Sequence, residues 1–244
     1  MSPPAVEVQA LHFNYPDGQA ALRGVSFAIV PGETVGLIGS NGAGKSTLLL
    51  HLNGVLLPSA GQVRVQGLPV DQAHLLEVRR AVGMVFQDPD DQLFMPTVQQ
   101  DVAFGPRNLG WSEDEVQARV ARALVTVGAS HLASRAPYRL SGGEKRSVAL
   151  AGVLAMEPAV VVLDEPSAGL DPAARRRLIE VLPALAPTQL IATHDLDLVQ
   201  DLCSRVLVMR EGLLEADGPA DAIFADAALL QRCHLELPLS QQRR

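Results

Sequence analysis

Thr34-Val35-Gly36-Leu37-Ile38-Gly39-Ser40-Asn41-Gly42-Ala43-Gly44-Lys45-Ser46-Thr47 decides the fold. Its first five residues form a short apolar run that reads as a buried strand, and Lys45 to Leu52 reads as the helix that follows. Between them, Gly39 to Ser46 fit the pattern G-x-x-x-x-G-K-[ST] in the strand, turn and helix setting that gives the pattern its meaning. Glycines let backbone N–H groups close round a phosphate, a helix N-terminus adds a positive dipole end, and Lys45 adds a point charge. Gly39, Ser40, Asn41, Gly42, Ala43, Gly44, Lys45, Ser46 and Thr47 are therefore the expected cradle for a nucleotide's phosphates, with the Ser46 hydroxyl offered to Mg2+.

Outward from this loop, short β-branched runs alternate with longer helical patterns, which predicts an α/β protein with a largely parallel sheet. Upstream, Val6 to Phe13 and Leu22 to Ile29 flank the turn Tyr15-Pro16-Asp17-Gly18 and predict an antiparallel hairpin. Downstream come a β stretch at Gly61 to Val65, a helical segment at Leu75 to Arg80 and a strand at Val82 to Phe86. From about Asp88 to Met156 the pattern turns helical, and Ser112-Glu113-Asp114-Glu115 is a capping box opening a helix to about Val127. The core resumes with the strand Ala159 to Leu163, a helix opened by Asp171-Pro172 and the strand Thr188 to Thr193. Two short strands near Arg205 to Met209 and Gly212 to Ala216 then lead into a helical tail.

Val160-Val161-Val162-Leu163-Asp164-Glu165 is an apolar strand ending in two acids. Beside a phosphate loop, Asp164 is placed to hold Mg2+ through water, and Glu165 to polarise the attacking water of a hydrolysis. The plainer reading is that one carboxylate merely caps the next turn. Leu140-Ser141-Gly142-Gly143-Glu144 also has two readings. Locally it is a capping box, yet two glycines at a helix start weaken the helix and bare its N–H groups to a ligand.

Together these motifs resemble the nucleotide-binding subunit of ATP-binding cassette (ABC) transporters over nearly the whole chain. The resemblance implies a P-loop NTPase core with an antiparallel β subdomain and an inserted α-helical signature subdomain. It divides one ABC ATPase domain, 1–244, into a RecA-like core (1–87 and 157–218), the signature subdomain (88–156) and a short helical tail (219–244). Tyr15 is similar to the aromatic that stacks on adenine, Gln87 to the lid glutamine that senses Mg2+ and γ-phosphate, and His194 to the switch histidine. Ala168-Gly169-Leu170-Asp171 resembles the loop that crosses the dimer interface. In the family two chains pack head to tail, so that Ser141, Gly142 and Gly143 of one close on the γ-phosphate held by Lys45 of the other. The resemblance thus implies ATP and Mg2+ as ligands, with Ser46, Gln87 and Asp164 serving the metal and Glu165, His194, Lys45 and Gln87 the chemistry.

Pro89-Asp90-Asp91-Gln92-Leu93-Phe94, after Gln87, resembles the energy-coupling factor group, in which this stretch meets coupling helices of a transmembrane subunit. Asn108-Leu109-Gly110 and Ala216-Asp217-Gly218-Pro219 resemble the ATPase of cobalt and nickel importers. The expected partners are a second ATPase chain, a homodimer being expected, with a transmembrane coupling subunit and a substrate-binding membrane subunit. The expected location is the cytoplasmic face of the membrane, peripherally bound.

Composition bears on the rivals. The 244 residues carry 20 basic and 27 acidic side chains, a net charge of −7, and 48% are hydrophobic. No basic patch suggests nucleic acid, which opposes a soluble cassette acting on nucleic acid or ribosomes. A small-molecule P-loop kinase is opposed by the Ser141 to Glu144 motif, whereas an ABC importer for a vitamin or other small molecule keeps every motif. Met1 to Ala10 lacks a basic n-region and carries Glu7, so no signal peptide is expected, and the apolar run Val148 to Met156 is too short to span a membrane. Cys203 and Cys233 are expected in the core; His12, His51, His74, His131 and His234 lack metal-ligand spacing. Arg175-Arg176-Arg177 is expected to be a solvated helix face, and Trp111 a packing anchor.

Overall fold

The computed structural model describes residues 3–185 and 188–242. In chain order the strands and helices are β1 (Val6–Asn14), β2 (Ala20–Ile29), β3 (Thr34–Ile38), α1 (Lys45–Leu52), β4 (Ala60–Val65), β5 (Leu68–Pro69), α2 (Leu75–Ala81), β6 (Val82–Val85), α3 (Val98–Asn108), α4 (Glu113–Thr126), α5 (Gly142–Leu154), β7 (Val160–Asp164), α6 (Pro172–Val181), β8 (Thr188–Ala192), α7 (Leu196–Leu202), β9 (Arg205–Arg210), β10 (Leu213–Pro219), α8 (Ala220–Ala225) and α9 (Ala227–Arg232).

Two sheets form. The larger has the order β10-β9-β3-β8-β7-β6, with β3, β6, β7, β8 and β9 running parallel and β10 antiparallel at the edge. The smaller, β2-β1-β4-β5, is antiparallel throughout and contains the expected hairpin. This is the α/β arrangement that the resemblance implies, with its antiparallel sheet and its helical segment between β6 and β7.

Strand alternation explains why the parallel sheet lies in the middle. Every residue of β7 is buried, and Val160 and Val162 join one apolar cluster while Val161 and Leu163 join the other. The first cluster includes α1 and the antiparallel sheet; the second includes α3, α4, α5 and α7. A parallel strand covered on both faces needs apolar residues at every position, which is what the run of valines supplies. Arg205 ties the sheets together, donating to the Ala28 carbonyl at 3.0 Å while pairing with Glu33 and Asp217.

Both predicted capping boxes form, at Ser112 and Ser141. Trp111 is partly buried beneath the Arg119 guanidinium, 3.6 Å from the ring centroid, and Arg119 also pairs with Glu157 just ahead of β7. Cys203 and Cys233 are buried, and burial pushes the Cys203 thiol up to about 12. Two expectations need correction. β10 runs on to Pro219, three residues beyond the predicted end, because Asp217, Gly218 and Pro219 still pair with β9. The helical tail stops at Arg232, and 233–242 runs on without helix; 243–244 lie outside the described residues.

Candidate functional site

The C-terminal ends of β3, β7 and β8 open onto one cavity of about 1280 Å3. Tyr15, Gly39 to Thr47, Gln87, Asp164, Glu165 and His194 all line it. The loop from Gly39 to Gly44 joins β3 to α1. Gly44 has φ +104, and a Cβ there would stand 2.7 Å from the Ala21 carbonyl oxygen; at Gly39 a Cβ would stand 2.3 Å from the Met209 carbonyl. Only glycine fits either position. Lys45 is buried, and its ammonium donates to the Gly39 and Ser40 carbonyls at 2.8 and 3.3 Å. Burial lowers its pKa, with Glu165 and Asp164 acting in the opposite direction.

Asp164 and Glu165 sit side by side but in different surroundings. Burial raises the Asp164 carboxyl; a hydrogen bond from Ser46 opposes this, Glu165 adds to it, and Lys45 and Arg146 oppose it. Asp164 Oδ1 is buried without a hydrogen-bond partner. Glu165 adopts φ +45, a left-handed conformation that a side chain tolerates poorly and that often marks a functional position. Its Oε2 accepts from the Thr193 hydroxyl at 3.0 Å and from the His194 N–H at 3.2 Å, and His194 Nδ1 lies 2.8 Å away. With three partners on Oε2, Oε1 is the oxygen left for a substrate. An ionised carboxylate only accepts, so Nδ1 carries a hydrogen and Nε2 of the exposed imidazole faces outward chemistry.

Tyr15 bonds the Thr47 hydroxyl at 2.9 Å and meets Phe13 edge-on. Ser141, Gly142, Gly143 and Asp171 do not line the cavity. Ser141 and Glu144 satisfy each other at the start of α5, a Cβ on Gly142 would meet open space, and one on Gly143 would come within 3.3 Å of Ala174. Asp171 caps α6 by accepting from the Ala174 N–H at 2.8 Å.

Three contributions escape sequence reading. Arg146, buried in α5, donates to the Phe86 and Gln87 carbonyls at 2.8 and 2.7 Å and so fixes the loop bearing Gln87. Nothing in its neighbours Glu144, Lys145 and Ser147 signals this. Arg175 is no part of a solvated face, because it turns inward, lines the cavity and grips Asp195. The segment from His234 to Leu239 also lines the cavity, held where the Leu239 and Ser240 N–H groups donate to Asp197.

Comparisons with known proteins agree with this geometry. A family model described as ABC transporter matches residues 22–168. The energy-coupling factor transporter ATP-binding protein EcfA of Methanothermobacter thermautotrophicus is 51% identical over 238 residues, covering 96% of this chain and 76% of the relative. Among solved structures, cbiO1 of Clostridium perfringens, part of the complex cbiONQ, superposes with TM-score 0.82 at 41% identity and 94% coverage of each chain. A dimeric ATP-binding cassette in a post-hydrolysis state, bound to ADP and Pi, superposes with TM-score 0.80 at 26% identity, covering 88% of this chain and 98% of that one.

Proposed function

The chain belongs to the ABC transporter family, and on that premise we propose that it powers a membrane importer of the energy-coupling factor type, with cobalt or nickel ions as cargo. It is an ABC-type ATPase, coupling hydrolysis of ATP to transport. The observation that carries the hydrolytic reading is that Lys45 and the loop share one cavity with Glu165, which is saturated on one oxygen and open on the other.

In this reading the loop amides and Lys45 hold the phosphates, and Tyr15 stacks on adenine once released from Thr47. Glu165 Oε1 orients the attacking water and accepts its proton, while Nε2 of His194 meets the γ-phosphate. The buried, unpartnered Oδ1 of Asp164 beside the Ser46 hydroxyl is an oxygen donor set that fits Mg2+, with Gln87 as the third contributor. When bound, Mg2+ would neutralise charge on the transferring phosphoryl group.

Ser141, Gly142, Gly143 and Asp171 stand outside their own chain's cavity, which supports two chains closing head to tail so that each supplies these residues to the other. The division into 1–87 with 157–218, 88–156 and 219–244 follows the same reading. Among the described residues no helix is long and apolar enough to cross a membrane. The proposed reading assigns the membrane subunits to other chains and this one to the cytoplasmic face. Their seat is the surface where Phe94 and Phe104 stand exposed and edge to face at 4.9 Å. Asp101 holds the backbone there, accepting from the Phe94 and Met95 N–H groups at 3.0 Å.

Glu165→Gln tests the chemistry: ATP turnover falls at least about a hundredfold while MgATP still draws two chains together. Full turnover in that variant would sink the assignment. Co-purification from gently solubilised membranes tests the partners, and uptake of labelled cobalt or nickel by cells expressing the complex tests the cargo. Uptake of a vitamin without metal uptake would keep the energy-coupling reading and replace its cargo; the name of the EcfA relative specifies no cargo.

A further inference from the structure

Arg175 lies on the first turn of α6, its N–H bonded to the Asp171 carbonyl, and its side chain crosses to the segment after β8. There Nε and Nη2 take both carboxylate oxygens of Asp195, at 2.7 and 3.0 Å. A planar guanidinium held this way fixes the orientation of its partner as well as its position. Asp195 passes that orientation on in two directions. Its carboxylate caps α7 through the Leu198 N–H at 2.9 Å, and its own N–H donates to the Thr193 hydroxyl oxygen at 3.0 Å. A hydroxyl has one hydrogen, and with its oxygen accepting from Asp195 that hydrogen is directed to Glu165 Oε2, 3.0 Å away. With the two contacts from His194, three contacts thus end on Oε2 of Glu165, and Oε1 is left without one.

We propose that Arg175 is a positioning residue for hydrolysis, acting through Asp195 and Thr193 to hold the carboxylate of Glu165 with one oxygen tied down and the other presented to water. The proposal rests on the reading of Glu165 as the group that orients the attacking water. The side-chain hydrogen bonds of Arg175 go to Asp195, whereas Lys45 bonds the loop carbonyls of Gly39 and Ser40, so the loss of Arg175 is expected to act on the chemical step more than on nucleotide affinity. The Asp195 carboxyl is suited to the task. Burial on its own would raise it, but hydrogen bonds from Arg175, Leu198 and Ser167 hold it below its ordinary value and so charged.

The experiment compares Arg175→Ala, Arg175→Lys, Asp195→Asn and the double variant Arg175→Ala with Asp195→Asn, alongside Glu165→Gln, by ATPase kinetics, binding of a fluorescent ATP analogue and thermal melting. In Arg175→Ala, kcat is expected to fall about tenfold or more with KM and analogue affinity within about twofold of wild type. The double variant is expected to lose no more than the weaker of its two parents, since both act through one path. Arg175→Lys keeps the charge and loses the fork, and falls between. Wild-type kcat in Arg175→Ala, a rise in KM that accounts for the whole loss, or multiplicative losses in the double variant would each overturn the proposal. Should Arg175→Ala melt below the assay temperature, Arg175→Lys decides: kcat within twofold of wild type overturns the relay, and a larger loss at unchanged analogue affinity supports it. Glu165→Gln separates the two levels. If it keeps full turnover, the hydrolytic reading itself has failed; if it is inactive while Arg175→Ala is normal, only the relay has.

Discussion

Glycine stands at the start of α1 and of α5, and the two helices begin differently. α1 opens from Gly44 in a left-handed conformation with no side-chain cap, so its first N–H groups face the cavity unclaimed by the chain's own side chains. α5 opens from Ser141, which caps the Glu144 N–H while Glu144 reaches back to the Ser141 N–H. An uncapped N-terminus with a lysine beside it is built to take an anion. A capped one is stable alone and can lend its surface to something else. On the proposed head-to-tail reading, the contrast separates the chain's own phosphate cradle from a surface that completes the site of a neighbour.

The contrast can be broken hardest at Gly44. Gly44→Ala combines a strained φ with a 2.7 Å approach to a backbone oxygen, and is expected to cost about 3 kcal/mol of stability and to remove ATP binding. Thermal melting and nucleotide titration check both. Lys45→Ala leaves the backbone unstrained and removes the ammonium, with its charge and its hydrogen bonds to the Gly39 and Ser40 carbonyls. ATP affinity is expected to fall about a hundredfold, or about 2.7 kcal/mol, by equilibrium titration. Ser141→Ala is milder: losing the cap costs about 1 kcal/mol of stability, while ATP affinity of the isolated chain stays within about twofold. An equal loss of ATP affinity in this variant would erase the distinction between the two helices. Gly142→Ala sharpens it most finely. The added methyl meets nothing and a better helix former should gain up to about 0.5 kcal/mol in melting, so any loss of turnover isolates a ligand's close approach to that backbone.

The residues that sequence reading placed correctly obey local rules. Thr34 to Leu52 declare a strand, a turn and a helix within nineteen consecutive positions, and both capping boxes complete themselves within four residues. What was not legible depends on distance along the chain. Arg175 looks like one of three solvated arginines until α6 and the end of β8 are brought together, setting it against a carboxylate 20 positions on. Arg146 answers to backbone carbonyls 59 and 60 positions away, which leave no mark in side-chain patterns. The segment after Arg232 carries no periodic signal, and its course along the cavity is set by hydrogen bonds to Asp197 from the start of α7.

The chain's single tryptophan gives it a native optical reporter. Trp111 sits among the helices between β6 and β7, roofed by an arginine whose other contact, Glu157, leads straight into β7. Indole emission therefore comes from one point, at the seam between the helical segment and the central sheet. A movement of one against the other would slide the guanidinium across the ring and change the emission colour and intensity. Stopped-flow mixing with MgATP would time that movement in the unlabelled protein, with no dye to perturb it.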